Sequence, residues 1–161
     1  MARNRDFSSG GIVKTTLNCM ILGALLVLSG CRDTVHSDFK GNALLLKDGR
    51  NQWVAVNYWA EWCDPCWEEI PELNALHEAE NGVRVWGVDF DGSASQDELA
   101  NKVDRMAIGF PVLSKESIAA LELKQPPVLP ATYILDTEGN LRKRLVGPQT
   151  REGLESAIAE L

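Results

Sequence analysis

Trp59-Ala60-Glu61-Trp62-Cys63-Asp64-Pro65-Cys66-Trp67-Glu68-Glu69-Ile70-Pro71 is the stretch whose reading decides the fold. It puts two cysteines at C-x-x-C spacing where one apolar run, Trp53 to Trp59, gives way to an amphipathic one. The first run is apolar at nearly every position, as a strand covered on both faces is, and this predicts a central place in a sheet. The second run begins near Pro65, a residue suited to an early helical position, and presents Ile70, Leu73, Leu76 and Ala79 on one face. Pro71 removes one backbone hydrogen bond from that helix, so a kink is expected there. Two thiols on a first helical turn can close a disulfide and open it again. Cys63 sits where unpaired amides and the positive end of the helix dipole favour a thiolate.

Working outward, Asn81-Gly82 ends the helix and Val83 to Asp89 reads as a second central strand. Asp89-Phe90-Asp91-Gly92 invites a calcium-loop reading, but setting Gly92 at the sixth loop position leaves Gly87 where the first carboxylate belongs, so a turn is expected. Ser95-Gln96-Asp97-Glu98 is a capping box opening a helix to about Met106. Phe110 to Leu113 predicts a short strand and Lys115 to Leu123 a helix. Tyr133 to Asp136 and Leu141 to Val146, joined by Thr137-Glu138-Gly139-Asn140, predict a β-hairpin, and Thr150 can cap a last helix, Arg151 to Glu160. Ala43 to Leu46 predicts a strand or a helical turn before the Lys47-Asp48-Gly49-Arg50 turn. Strands separated by helices and closed by a hairpin make an α/β sandwich with a mixed sheet.

A chain of 161 residues, 45% of them hydrophobic, argues for one core. The net charge of −7 is unevenly spread: Arg3, Arg5 and Lys14 against Asp6 leave +2 in residues 1–30 and −9 in the remainder. So acidic a body is a poor partner for nucleic acid, which needs Lys and Arg to replace phosphate counterions.

The N-terminus reads as an export signal. A basic leader precedes the apolar run Met20 to Leu28, about half the roughly 20 residues that span a bilayer, so a permanent transmembrane helix is not expected. Leu28-Ser29-Gly30-Cys31 resembles the bacterial lipobox, in which cleavage falls before a cysteine that is then lipidated; the alternative is an ordinary signal peptide with a chance cysteine. The expected division is residues 1–30 as lipoprotein signal peptide, 31–42 as the lipidated Cys31 and a polar tether, and 43–161 as the folded domain. A tether of about ten residues reaches roughly 33 Å when extended. His36 lies within it and is expected to be solvated, while His77, near the buried helical stripe, is expected to pack at the core edge. Cys19 leaves with the signal, so Cys63 and Cys66 remain as the free thiols. A pair this close constrains the unfolded chain little, which favours a redox couple over a structural staple.

Trp59-Ala60-Glu61-Trp62-Cys63-x-Pro65-Cys66 resembles the active site of thioredoxins, and the continuation through Glu69 and Pro71 is similar to the TlpA and ResA group of membrane-tethered thiol-disulfide oxidoreductases. Pro130-Ala131-Thr132-Tyr133-Ile134-Leu135-Asp136 resembles the segment that carries a cis-proline beside the dithiol in that group. The resemblance covers about residues 43 to 161 and implies a thioredoxin-like fold, a mixed central β-sheet flanked by helices. The buried carboxylate on the strand entering the thioredoxin site is replaced here by Asn57, which takes no proton. The resemblance implies Glu69 in its place, on the same helix face as Cys66; the alternative is a solvated glutamate that suits the helix dipole. Members of the group also carry an N-terminal β-hairpin, and residues 32–52 are short for one.

The mechanism this implies has Cys63 attack a substrate disulfide and Cys66 resolve the mixed disulfide, with Glu69 assisting deprotonation of Cys66. Pro130 in cis would leave Leu129 free to pair with an extended substrate, and Trp62, Asp64, Pro65 and Trp67 are the other residues expected to meet it. Asp64 opposes a thiolate at Cys63 by like charge, which favours a reductase over an oxidant. No cofactor beyond the dithiol and no metal is expected. Expected partners are exported protein disulfides, a membrane thiol-electron transporter as donor and, through Cys31, a bacterial membrane facing the periplasm; apocytochrome c maturation is one candidate task. Two rivals use other chemistry: a copper- or zinc-carrying lipoprotein, for which two cysteines and two distant histidines are a thin ligand set, and a non-catalytic binding scaffold.

Overall fold

A computed structural model describes residues 35–46 and 53–161, which fall within one compact unit, Thr34–Leu161. The expected signal sequence, the lipidation site Cys31 and the turn at 47–50 lie outside the described residues. The core is a four-stranded sheet in the order β4-β3-β5-β6, built from β3 (Trp53–Trp59), β4 (Val83–Asp89), β5 (Ala131–Leu135) and β6 (Leu141–Val146). β3 pairs parallel with β4 and antiparallel with β5, and β5 pairs antiparallel with β6, so the sheet is mixed and β3 is interior, as its unbroken apolar run predicts. Apolar side chains gather on both faces: Ala55, Trp59, Val85 and Ile134 on one, Val54, Val56, Tyr58, Trp86 and Tyr133 on the other.

Helix α1 (Asp64–Glu78) follows β3 and lays Cys66, Glu69, Ile70, Leu73 and Leu76 against the first of these faces. Full burial of each Leu or Ile contributes about 1.5–3 kcal/mol. Pro71 lies within the helix, exposed, and the helix continues through it for another seven residues to Glu78. Helix α2 (Gln96–Arg105) opens on Ser95, whose hydroxyl accepts from Glu98 N while the Glu98 carboxylate accepts from Ala94 N. Helix α3 (Lys115–Ala120) is shorter than the apolar pattern predicts, because the chain turns through Glu122 at φ 51. Helix α4 (Arg151–Ala159) opens on Thr150, which accepts from Gly153 N. Asp89–Gly92 is a turn, closed by Gly92 N donating to the Asp89 carbonyl.

Expectations for two segments are corrected here. Residues 31–42 were expected to be a solvated tether, yet β1 (Val35–Ser37) pairs antiparallel with β2 (Ala43–Leu45), and the folded unit therefore begins before residue 43. The Asp38 carboxylate closes the hairpin by accepting from Lys40 N, Asn42 N and Asn42 Nδ2. His36 is not solvated but 2% exposed, against the Trp86 ring. Burial lowers its pKa. The second concerns Phe110–Leu113, which forms no ladder; Val112 and Leu113 make single bridges to Gly87 and Asp38. Pro111 interrupts the donors a ladder needs there. His77 meets its expectation: Nδ1 accepts from Val85 N at 3.2 Å, and burial lowers its pKa.

Candidate active site

The C-terminal end of β3 delivers the chain into a short turn and then into the first turn of α1, with Cys63 as the residue preceding the helix in extended backbone (φ −93, ψ 92). No side chain caps this end; Pro65 has no N–H to offer, and Cys66 N donates to the Cys63 carbonyl at 2.9 Å, so the positive end of the helix dipole lies at the dithiol. Cys63 and Cys66 are joined as a disulfide with Cα atoms 5.3 Å apart. Both are buried, Cys66 completely.

Glu69 lies one turn beyond Cys66 on the same face and is 1% exposed. Asn57 Nδ2 donates to its Oε1 at 2.6 Å, and Gln149 N donates to its Oε2 at 3.1 Å. Burial raises the Glu69 pKa to about 7, the two donated bonds offsetting part of the effect. Asn57 also donates to Thr132 Oγ1 at 3.1 Å, across the β3–β5 pair in which these two residues face each other. The alternative of a solvated Glu69 is thereby excluded. Thr132 and Gln149 escaped the sequence reading. Thr132 has a signal, since it stands opposite Asn57 once the hairpin is aligned on the proline segment; Gln149, 80 residues from Glu69, has none.

The other end of the constellation is Pro130, which opens β5 after a cis Leu129–Pro130 bond, the geometry that the resemblance implied. Its carbonyl accepts from Gly147 N, tying the loop that carries Gln149 to the same corner. Trp62, Asp64, Pro65 and Trp67 surround the disulfide on the outer side and are all exposed, Trp62 by 63% and Trp67 by 40%. Both indoles are held: Trp62 Nε1 donates to Asp91 at 2.7 Å and its ring meets Phe90 edge-on, and Trp67 Nε1 donates to the Glu61 carbonyl at 2.9 Å. Glu61 is in turn ion-paired to Arg105 at 2.6 Å, which lowers its pKa. Leu129 is half-buried beside Val128, which is exposed.

Residues 31–144 match the AhpC/TSA family. The chain belongs to that family. Within it, the ResA thiol-disulfide oxidoreductase of Geobacillus kaustophilus (strain HTA426) is 30% identical over 141 residues, covering 86% of this chain and 79% of the relative. ResA of Bacillus anthracis is 29% identical over 129 residues, 79% of this chain and 73% of the relative. Among solved structures, the pneumococcal exposed lipoprotein thioredoxin Etrx1 of Streptococcus pneumoniae strain TIGR4 superposes with a TM-score of 0.65 at 24% identity, covering 80% of this chain and 99% of that one. A DsbF homologue from Corynebacterium diphtheriae gives 0.61 at 23%, covering 80% and 83%. The fold is therefore thioredoxin-like, and the chain is a thiol-disulfide oxidoreductase whose redox pair is Cys63–Cys66.

In this family member the cysteines bring together two kinds of surface. Outside are two fixed indoles and the carboxylates Asp64 and Glu68; inside are Cys66, Glu69, Asn57 and Thr132, closed to water. Among the described residues no group of three or more His, Cys, Asp or Glu side chains is arranged to hold a metal ion. His36 and His77 are packed into separate parts of the core, one against Trp86 and one on Val85 N. Nor is any described helix long and apolar enough to cross a membrane.

Proposed function

We propose that this oxidoreductase works as a reductase of disulfides in exported proteins, tethered by a lipid on Cys31 to a bacterial membrane and facing the periplasm. The observation that carries the reading is Glu69, a buried carboxyl poised near pH 7 on the Cys66 side of the disulfide. Such a group suits proton transfer at neutral pH.

In the reduced enzyme the Cys63 thiolate attacks one sulfur of a substrate disulfide, forming a mixed disulfide and expelling the other substrate sulfur as a thiolate, which takes up a proton. Glu69 then accepts the Cys66 proton, and the Cys66 thiolate attacks Cys63 Sγ. The enzyme disulfide forms as the second substrate thiolate leaves. Two electrons pass from enzyme to substrate and none is lost. Renewal of the dithiol requires a thiol donor, which for a membrane-tethered protein is a membrane thiol-electron transporter. Leu129 pairs through its backbone with the extended substrate, while Trp62, Pro65 and Trp67 offer it apolar area and Asp64 a negative charge.

Reducing direction is supported by Asp64, whose exposed carboxylate beside Cys63 disfavours the thiolate and so lowers the reduction potential. Keeping apocytochrome c cysteines reduced is one task within this reading. The test is equilibrium titration of Cys63–Cys66 against glutathione, combined with trapping by Cys66→Ala in cells. A reducing potential and mixed disulfides with exported proteins support the reading; a potential near that of DsbA, about −120 mV, defeats its direction. Mass analysis of the mature N-terminus checks the anchor: a lipidated Cys31 supports it, and an unmodified Cys31 or cleavage elsewhere removes it.

A further inference from the structure

Both oxygens of Glu69 face donors. Asn57 Nδ2 serves Oε1 and the backbone Gln149 N serves Oε2, an arrangement suited to a carboxylate. A neutral carboxyl carries its proton on one of those oxygens, and that O–H needs an acceptor. The Gln149 amide is part of the backbone and cannot present an acceptor. The Asn57 carboxamide can, because its nitrogen and oxygen exchange places by a half-turn about the terminal side-chain bond.

We propose that Asn57 is a positioning residue for Glu69 that follows its proton, donating through Nδ2 to the carboxylate and, after a half-turn, accepting through Oδ1 from the acid. This rests on the reading of Glu69 as the proton-transfer group and gives that group a partner in each state.

Two further observations fit. In the orientation observed, Asn57 Oδ1 is buried with no hydrogen-bond partner, so a carbonyl oxygen stands unused beside the carboxyl that needs an acceptor. The second neighbour of Nδ2 is the Thr132 hydroxyl at 3.1 Å, which accepts from Nδ2 before the turn and donates to Oδ1 after it. Each orientation therefore makes two bonds, and the protonation state of Glu69 decides which of the two it can complete. A leucine here would serve neither state, and an aspartate would set a second acid against Glu69. Glu69 is faced by Asn57 from β3, Gln149 from the segment before α4 and the disulfide end of its own helix; of its acidic neighbours on α1, Glu68 is exposed and Glu72 accepts from Arg151 N. Its titration is set by burial and these two donors, with no charged side chain contributing.

The test is NMR of the whole protein, following the Asn57 side-chain amide, assigned by its absence in Asn57→Asp, together with the Glu69 carboxyl carbon from pH 5 to 9. Both amide protons and the amide nitrogen are expected to shift with the same midpoint as the Glu69 carboxyl, and the hydrogen-bond coupling from Asn57 Nδ2 to the Glu69 carboxyl carbon, present above that midpoint, to vanish below it; both changes stop in Glu69→Gln, and a coupling retained below the midpoint overturns the half-turn. An Asn57 amide that stays constant while Glu69 titrates overturns the proposal, as does the same shift persisting in Glu69→Gln, or a Glu69 that does not titrate in this range. The wild-type titration decides the matter even if a variant fails to fold. Loss of disulfide-reductase activity with a co-titrating Asn57 would defeat the functional reading alone, and an active enzyme with an invariant amide would defeat this proposal alone.

Discussion

The outer and inner faces of the first turns of α1 are made from neighbouring residues and could hardly differ more. Trp62, Asp64, Pro65, Trp67 and Glu68 stand in solvent, while Cys66 and Glu69 are sealed against β3 and β5. The difference follows from helical spacing: residues 66, 69, 70 and 73 share the core-facing side, and the positions between them cannot. It also divides the chemistry. In the function proposed here Cys63, at the rim, meets the substrate, and Cys66 and Glu69, inside, reset the enzyme where water does not compete for the proton.

The harshest way to break the contrast is to remove one cysteine from each side. Cys63→Ala is expected to abolish turnover before any covalent complex forms. Cys66→Ala is expected to abolish it afterwards, with mixed disulfides accumulating, and non-reducing gels of the two variants with a protein disulfide distinguish them.

The inner face also carries a stability cost. With its folded pKa raised to about 7 from an ordinary 4.5, Glu69 favours folding when protonated, so that contribution is complete below about pH 4.5 and lost as pH rises through 7. The loss amounts to about 3 kcal/mol by linkage. Buried His36 and half-buried His77 act oppositely, their lowered pKa values costing stability as pH falls below 6.5. Urea denaturation at pH 5 and 8 in wild type and Glu69→Gln isolates the glutamate: the difference between the two proteins should change by about 2.5 kcal/mol between these pH values, the remainder of the loss falling below pH 5.

Smaller effects are expected outside. Trp67→Ala should raise KM for a protein disulfide about tenfold at nearly constant kcat, as loss of about 1.4 kcal/mol of apolar contact implies; steady-state kinetics show it. Asp64→Asn removes the anion beside Cys63, stabilises its thiolate and should raise the reduction potential by about 30 mV for each pKa unit, read by glutathione titration.

Much of this contrast is legible in the sequence. The apolar run Trp53–Trp59 announces a buried strand, and the C-x-x-C spacing with Pro65 announces the helix start, because both rest on periodicity and local backbone preference. The inner position of Glu69 is what the family resemblance implies once Asn57 is seen to have no titratable proton, and its three-residue spacing to Cys66 agrees. What surrounds it does not follow. Gln149 reaches Glu69 only because Gly147 N is tied to the Pro130 carbonyl, a contact between distant segments. The hairpin at Val35–Leu45 was hidden for another reason: its strands are three residues long, too short for an alternation to register, and its order comes from the Asp38 turn and from packing of His36 on Trp86.

Resolution of a preformed mixed disulfide by Cys66, timed by stopped flow from pH 5 to 9, bears most directly on the division between the two faces. In wild type the rate should rise through an inflection near pH 7. In Glu69→Gln that inflection should vanish and the rate at pH 7 fall about a hundredfold, with the attack of Cys63 on substrate unchanged. Equal rates and the same inflection in both proteins would show that the buried carboxyl takes no part in resetting the dithiol.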